Sequence, residues 1–329
     1  MNSTPRASDG NGTPGPVLSL PTAPRSRRRL GQPRLLIVGC GDIGLRIVAR
    51  LRDRFRIFGT IASPAGATRV RAAGATPLVL DLDQSGKKSR IGELAARRVL
   101  VLAPTSTHGS RDARARRLVR MLRALPGARM IYLSTTGVYG DRQGAWTDES
   151  TPAAPTSERA RRRLDAELVV RASRWHSAVL RVPGIYGPER LPVDRLRQAI
   201  PVALPPQDVI TNHIHAEDLA RACIAAIFRA APTRTYNIVD DSQLFLGDYL
   251  DRVADQTGLP RPPRVRWDAL HEASGARRMS FLGESRRLRN LRMKRELRVR
   301  LRFPDVEAGL AAIAGPAQAH AGSPPTRGK

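Results

Sequence analysis

Lysine is almost missing from this chain of 329 residues: Lys87, Lys88, Lys294 and Lys329 are the only four, although Lys and Arg together number 56 and the formal charge is +27. So lopsided a balance reads as a general preference for arginine rather than as selection of one phosphate-binding face, and no dedicated nucleic-acid function is expected. Aromatic residues are scarce too, at 4%. The arginines therefore lack the interleaved stacking partners of a single-strand groove, which leaves weak, salt-sensitive association with polyanions as the expectation. Cysteine occurs twice, as Cys40 and Cys223, far apart and at no metal-ligand spacing. That excludes a disulfide framework, favours a reducing compartment, the cytoplasm, and gives no reason to expect a metal. No apolar run of about 18 residues occurs, nor an apolar signal-peptide core near the N-terminus, so neither a membrane span nor export is expected.

What is present is a hydrophobic fraction of 41%, ample for a core. Residues 1–32 are rich in Pro, Ser, Thr and Gly and end in a cluster of arginines, which predicts a disordered basic arm. The segment 315–329 has a similar composition and is expected to be flexible.

Between these ends, Leu35-Leu36-Ile37-Val38 runs directly into Gly39-Cys40-Gly41-Asp42-Ile43-Gly44, after which Ile43, Ile47, Val48 and Leu51 recur at helical spacing. A buried strand, a Gly-x-Gly-x-x-Gly turn and an amphipathic helix in that order form a dinucleotide-binding pattern. Gly39 permits the tight turn, Gly41 lets a pyrophosphate approach the backbone, and Gly44 lets the helix pack closely on the sheet. Cys40 fills a variable slot of that turn.

Further strands are expected at 57–61, 78–80, 99–103, 130–133 and 178–182, with helices at 43–51, 112–125 and 158–172. Strands alternating with helices predict an α/β fold, a Rossmann-type doubly wound parallel sheet with its ligand crevice at the carboxyl ends of the strands. Beyond residue 182 the chain becomes Pro-rich, then offers a helix at 217–228 and a strand at 236–239 that return to the sheet. The expected organisation is a dinucleotide-binding domain over 33–182 with return segments at about 209–240, and a smaller, discontinuous C-terminal substrate domain from 183–208 and 241–314.

Six segments then carry a family resemblance. They are Asp81-Leu82, Ala103-Pro104, the run from Leu133 through Thr135 and Tyr139 to Asp141, the run from Leu180 through Pro183, Ile185 and Tyr186 to Pro188, the run from Asn212 to Ala220, and Tyr236 to Asp241. In this order and spacing the chain resembles the extended short-chain dehydrogenase/reductase family, which includes NAD-dependent epimerases and dehydratases. The resemblance implies that Asp81 meets the adenine, that Ala103-Pro104 line the cofactor, and that the backbone from Pro183 to Ile185 approaches the nicotinamide.

Two departures qualify it. The family's Gly-x-x-Gly-x-x-Gly would put its first glycine at Val38, and Gly39 supplies a different turn. The catalytic Tyr-x-x-x-Lys pair is also absent: the residues four beyond Tyr132, Tyr139, Tyr186, Tyr236 and Tyr249 are Thr136, Gln143, Arg190, Asp240 and Val253. The family's helix aligns Arg159 with the tyrosine and Arg163 with the lysine. A guanidinium stays protonated and cannot serve as a base near neutral pH, so the usual proton route is closed.

Arg163 can still hydrogen-bond the nicotinamide ribose. Arg159 can bind an anionic substrate group or be one more solvated arginine. The resemblance puts Thr135 at the family's catalytic Ser or Thr, where its hydroxyl can orient a substrate oxygen. Tyr139 is the second catalytic candidate, and Tyr186 and Arg190 are substrate candidates. His213 and His215 are expected to hold the loop before the 217–228 helix. An NAD site commonly carries an acid about 20 residues past the turn. The segment 59–63 has none, and Ser63 with Arg69 can hold a 2′-phosphate, which favours NADP slightly over NAD.

Overall fold

The computed structural model describes residues 31–84, 90–205, 207–273 and 283–314, which form one compact unit. The arm expected over residues 1–30 and the tail at 315–329 lie outside the described residues.

Seven parallel strands make the central sheet: β1 (Arg34–Val38), β2 (Arg56–Ile61), β3 (Thr76–Val79), β4 (Arg98–Val101), β5 (Arg129–Thr135), β6 (His176–Val182) and β7 (Thr235–Asn237). Their spatial order is β7-β6-β5-β4-β1-β2-β3, with every neighbouring pair parallel. The chain winds outward from β1 to β3, crosses back to β4 and winds away, which opens a crevice between the ends of β1 and β4.

Alternation along the strands divides the core between two faces. Leu35 and Ile37 of β1 face one cluster, and Leu36 and Val38 face the other. The first is covered by α1 (Asp42–Leu51), through Ile43, Ile47, Val48 and Leu51, and by the helix Ala216–Arg229, through Leu219, Cys223 and Ile227. Helices α3 (Ala113–Met121) and α4 (Glu158–Arg171) cover the second with Leu118, Ala166 and Val170. A separate cluster of Tyr186, Leu196, Val202, Leu250, Val253 and Leu310 forms beyond the strand ends, around the helix Leu246–Thr257.

Several boundaries differ from expectation for local reasons. The helix expected over 112–125 begins after Asp112, whose carboxylate caps it by accepting from Arg114 N, and ends at Met121. Leu122 is already extended (ψ 121°), ahead of the turn that Pro126 and Gly127 impose. The third strand covers 76–79, and the last one stops at Asn237. A helix unanticipated by the sequence, α2 (Ala67–Ala73), follows β2 and is closed by Gly74 at φ +103°.

Candidate functional site

The glycine turn is fastened to both strands beside it. Gly39 takes φ +85°, and a Cβ there would lie 2.6 Å from the amide nitrogen of Ala103, so the loop after β4 leaves no room for any other residue. Its own amide donates to Thr60 Oγ1 at 2.9 Å, and Cys40 N donates to the Thr60 carbonyl at 2.8 Å. Cys40 turns inward. A Cβ on Gly59 would come within 2.9 Å of its Sγ, and burial pushes its thiol up to about 11, so the cysteine packs the turn against β2 and has no thiolate character.

Gly41 is the N-cap of α1, with no side-chain hydrogen bond capping the helix, and a Cβ on Gly41 would meet nothing within 4 Å. The first amides of the helix thus face an open approach, a ready site for an anion. Ile43 and Gly44 are buried, and the Gly44 Cβ position lies 3.4 Å from Ile37, which is the close helix-to-sheet packing expected of that glycine.

Asp42, at the first helical position, is paired with Arg46 and, at 2.7 Å, with Arg190 from the loop beyond β6. Burial raises its pKa, yet the hydrogen bonds from Arg190 and Arg46 outweigh that effect and lower it overall. Arg190, expected from sequence to meet substrate, is thereby brought to the glycine turn.

The remaining candidates lie at or beyond the strand ends. Ser63 is exposed just past β2, before the turn Pro64–Gly66, and Arg69 is exposed on α2. Asp81 accepts from Asp83 N at 2.8 Å, while Leu82 is buried. The Pro104 carbonyl accepts from Arg114 at 3.2 Å. Pro183 and Ile185 are half-buried beyond β6, with Ile185 registered opposite Ile214.

Thr135 ends β5, half-buried, and its Oγ1 accepts from Gly137 N at 3.2 Å. Arg163 reaches the same strand from α4: its guanidinium donates to the Leu133 carbonyl and to the Tyr132 hydroxyl, both at 3.0 Å. Arg159 is exposed one turn earlier on α4. The phenols nearby are locked as acids: burial pushes Tyr132 up to about 12 against the opposing pull of Arg163, and Tyr139 is raised by the same cause.

Tyr139 and Tyr186 turn away from solvent. Tyr139 is wholly buried, donates to Asn237 Oδ1 at 2.8 Å and has the Arg181 guanidinium 4.5 Å from its ring centre. Tyr186, expected near substrate, donates to the Asp305 carbonyl at 3.0 Å and packs edge-on against His215. Its ring and hydroxyl also fill the space that a side chain on Gly309 would need. Hydroxyls committed in this way are packing elements, and burial raises Tyr186 far above the ordinary phenol range. His215 caps the helix Ala216–Arg229, accepting from Glu217 N at 3.2 Å, in agreement with a loop-holding histidine.

Sequence reasoning missed three features. Thr60 supports the turn from the neighbouring strand. Glu167 and Arg181 form a buried pair at 2.9 Å, with Ser134 donating to Glu167 at 2.5 Å, so that α4, β5 and β6 are tied behind the candidate site. A cleft of about 420 Å³ opens beyond β5, lined by Asp141, Asp208, Phe245, Trp267, Ser285 and Arg287 among others. Only Asp141 of these lies in a segment that the sequence had singled out.

Comparison with known proteins agrees with this architecture. The sequence profile of the NAD dependent epimerase/dehydratase family matches residues 96–239. Among solved structures, a functionally unknown conserved protein from Silicibacter pomeroyi is 32% identical with a TM-score of 0.72, over 86% of this chain and 98% of that one. The dTDP-glucose 4,6-dehydratase DesIV of Streptomyces venezuelae, solved with NAD bound, is 20% identical with a TM-score of 0.68, over 85% of this chain and 95% of that one. UDP-glucuronic acid 4-epimerase of Bacillus cereus, in complex with NAD, is 16% identical with a TM-score of 0.64, over 85% and 96% of the two chains. No curated protein matches the chain. The last two structures establish shared fold alone, whereas the profile match and the Silicibacter relative, joined to the sheet order and the glycine turn, extend to sequence. The chain belongs to the NAD-dependent epimerase/dehydratase family.

Proposed function

We propose that this protein binds a nicotinamide dinucleotide at the glycine turn and acts as an oxidoreductase or epimerase-like enzyme at an oxygen-bearing carbon. The observation that carries the reading is the open, uncapped N-terminus of α1 at Gly41, held against Ala103 by a Gly39 that tolerates no side chain. The residues fit the group: backbone amides for the pyrophosphate, Asp81 for the adenine, Arg163 for the nicotinamide ribose, and Pro183 and Ile185 beside the nicotinamide. Bound there, the cofactor would supply hydride exchange. Exposed Ser63 and Arg69, with no acid at the end of β2, favour the 2′-phosphorylated form. Thr135 would orient the substrate oxygen, and the polar cleft of about 420 Å³ would take the rest of a small hydrophilic substrate.

A second reading is a non-catalytic sensor or scaffold that keeps the cofactor. It is favoured by one observation: Arg163, at the family's lysine position, is committed to the Leu133 carbonyl and to a tyrosine that burial holds protonated.

Titration calorimetry with NADP(H) and NAD(H) tests binding, and Gly41→Val is expected to abolish it in a folded protein. Equal affinity in that variant would refute the site, and equal or better affinity for NAD would refute the NADP preference. Turnover separates enzyme from sensor: activity of about 1 per second or faster would refute impaired chemistry. Thr135→Ala then tests the hydroxyl that would orient the substrate oxygen, whereas Tyr139→Phe, at a buried phenol held by Asn237, is expected to leave turnover unchanged. Arg159→Tyr combined with Arg163→Lys is expected to raise activity if the rest of the site is intact.

A further inference from the structure

On the sheet face covered by α1 lies a second groove, of about 710 Å³, that the dinucleotide site does not use. It runs between the C-terminal end of α1, the helix Ala216–Arg229 and the segment 298–302, and seven arginines line it against a single carboxylate, Glu217. Glu217 is already paired with Arg46 and Arg50. Arg298 and Arg300 are exposed and have no ion pair among the described residues, whereas Val299 between them is buried. The groove is therefore strongly cationic at its walls.

Its floor is different. Leu51, Ile224, Ala225, Phe228 and Val299 line it with apolar atoms, and Ile224, Ala225 and Phe228 remain half-buried. An apolar floor between cationic walls complements a ligand that is apolar along one stripe and anionic on its flanks. A nucleic-acid strand matches less well. Phe228 is the one aromatic side chain lining this groove, and its ring already carries the guanidinium of Arg54 at 5.2 Å and that of Arg98 at 5.5 Å, with Phe55 tilted against it at 5.9 Å. A base stacking on this ring would compete with the guanidinium groups already held there.

We infer that this groove docks an acidic amphipathic segment of a partner protein, its apolar stripe on Ile224 and Phe228 and its carboxylates on the arginine walls. The occupant is not drawn from this chain's own ends, since residues 1–30 contain one acidic residue, Asp9, and 315–329 contain none.

Fluorescence anisotropy on the full-length protein tests this with four labelled probes: a Leu/Glu peptide of helical amphipathic pattern, a scrambled peptide of the same composition, poly-glutamate, and oligo-dT of equal charge. The amphipathic peptide is expected to bind at least about tenfold more tightly than the scrambled one, and the double variant Arg298→Glu, Arg300→Glu to lose about tenfold or more in that affinity. Ile224→Ser should weaken the amphipathic peptide while leaving poly-glutamate unaffected. Equal binding of the scrambled peptide or poly-glutamate would overturn the inference in favour of unspecific charge attraction. Tighter, arginine-dependent binding of oligo-dT would overturn it in favour of nucleic acid. Melting temperature and dinucleotide affinity, both expected to be unchanged in the double arginine variant, separate loss of docking from loss of fold, and unchanged dinucleotide and poly-glutamate binding does so for Ile224→Ser.

Discussion

Thr60 Oγ1 accepts the amide proton of Gly39 at 2.9 Å, so the glycine turn at the end of β1 is held by a side chain of the next strand rather than by its own backbone alone. Thr60 is buried and Gly39 half-buried. Thr60→Val keeps the shape and removes the acceptor, leaving a partly buried N–H without it at a cost of about 1 kcal/mol. Chemical denaturation should register that loss, and calorimetry a weaker dinucleotide affinity. Unchanged values for both would mean that the hydrogen bond contributes nothing to the turn.

The Glu167–Arg181 pair calls for a mutant cycle. Both side chains are less than 10% exposed, and Arg181 donates through two nitrogens, at 2.9 and 3.1 Å. Removing one partner strands the other charge in the core, so Glu167→Gln or Arg181→Met is expected to cost about 3–5 kcal/mol. The double variant should cost clearly less than the sum of the singles. Strict additivity in urea unfolding would contradict the coupling.

Acid should act through His213. Burial pushes its pKa down to about 3, and the ring stacks on Tyr249 at 4.0 Å, with Tyr186 edge-on and the Asp240 amide bonded to its carbonyl. The unfolded chain takes up the proton near the ordinary pKa of about 6.5 while the native ring refuses it, so stability is lost as pH falls from there toward about 3. The slope approaches about 1.4 kcal/mol per pH unit for one proton. Asp240 works in the opposite sense: burial raises its carboxyl to about 8, so its contribution falls as pH rises between the unfolded and native values. His213→Gln should therefore gain on the wild type as pH drops below about 6.5, and Asp240→Asn as pH rises toward about 8. Stability differences that do not vary with pH would exclude both assignments.

Asp42 sits where a bound pyrophosphate would bring its charge, and it engages Arg190 and Arg46. Being partly exposed, these pairs should matter little for folding, at most about 1 kcal/mol. Asp42→Asn removes an anion beside an anion site and frees the Arg190 guanidinium, while Arg46 keeps its pairing with Glu217. Dinucleotide affinity is expected to rise several-fold, with a steeper dependence on salt. A fall in affinity would show that Asp42 instead organises the turn.

The parallel sheet, the glycine turn and the helix that follows it were legible in the chain because each rests on local pattern. Leu35 to Val38, running into a glycine turn, suits a strand covered on both faces, and Gly39, Gly41 and Gly44 each answer a backbone requirement readable from spacing. The missing Tyr-x-x-x-Lys pair was equally visible, since it depends on residue identity alone. Boundaries such as the early end of α3 were less so, because capping and the approach to Pro126 outweigh helical periodicity over a single turn.

Contacts between residues distant in sequence were settled by tertiary structure. Position alone offered Tyr139, Tyr186 and Arg190 as residues facing a ligand, but a side chain's direction follows from which partner the folded chain presents to it. Asn237 lies 98 residues beyond Tyr139, the Asp305 carbonyl 119 beyond Tyr186, and Arg190 148 beyond Asp42. Hydrogen-bond satisfaction in a buried setting fixed the two phenols, which turned inward to neutral acceptors, while the exposed guanidinium of Arg190 was drawn to the carboxylate at the head of α1. Thr60, Glu167 and Arg181 stayed hidden for the same reason. The segments that hold Thr60 and Arg181 drew notice for other reasons, and only the parallel register of β2 beside β1 and of β6 beside β5, with α4 packed over the sheet, puts these three next to the groups they hold.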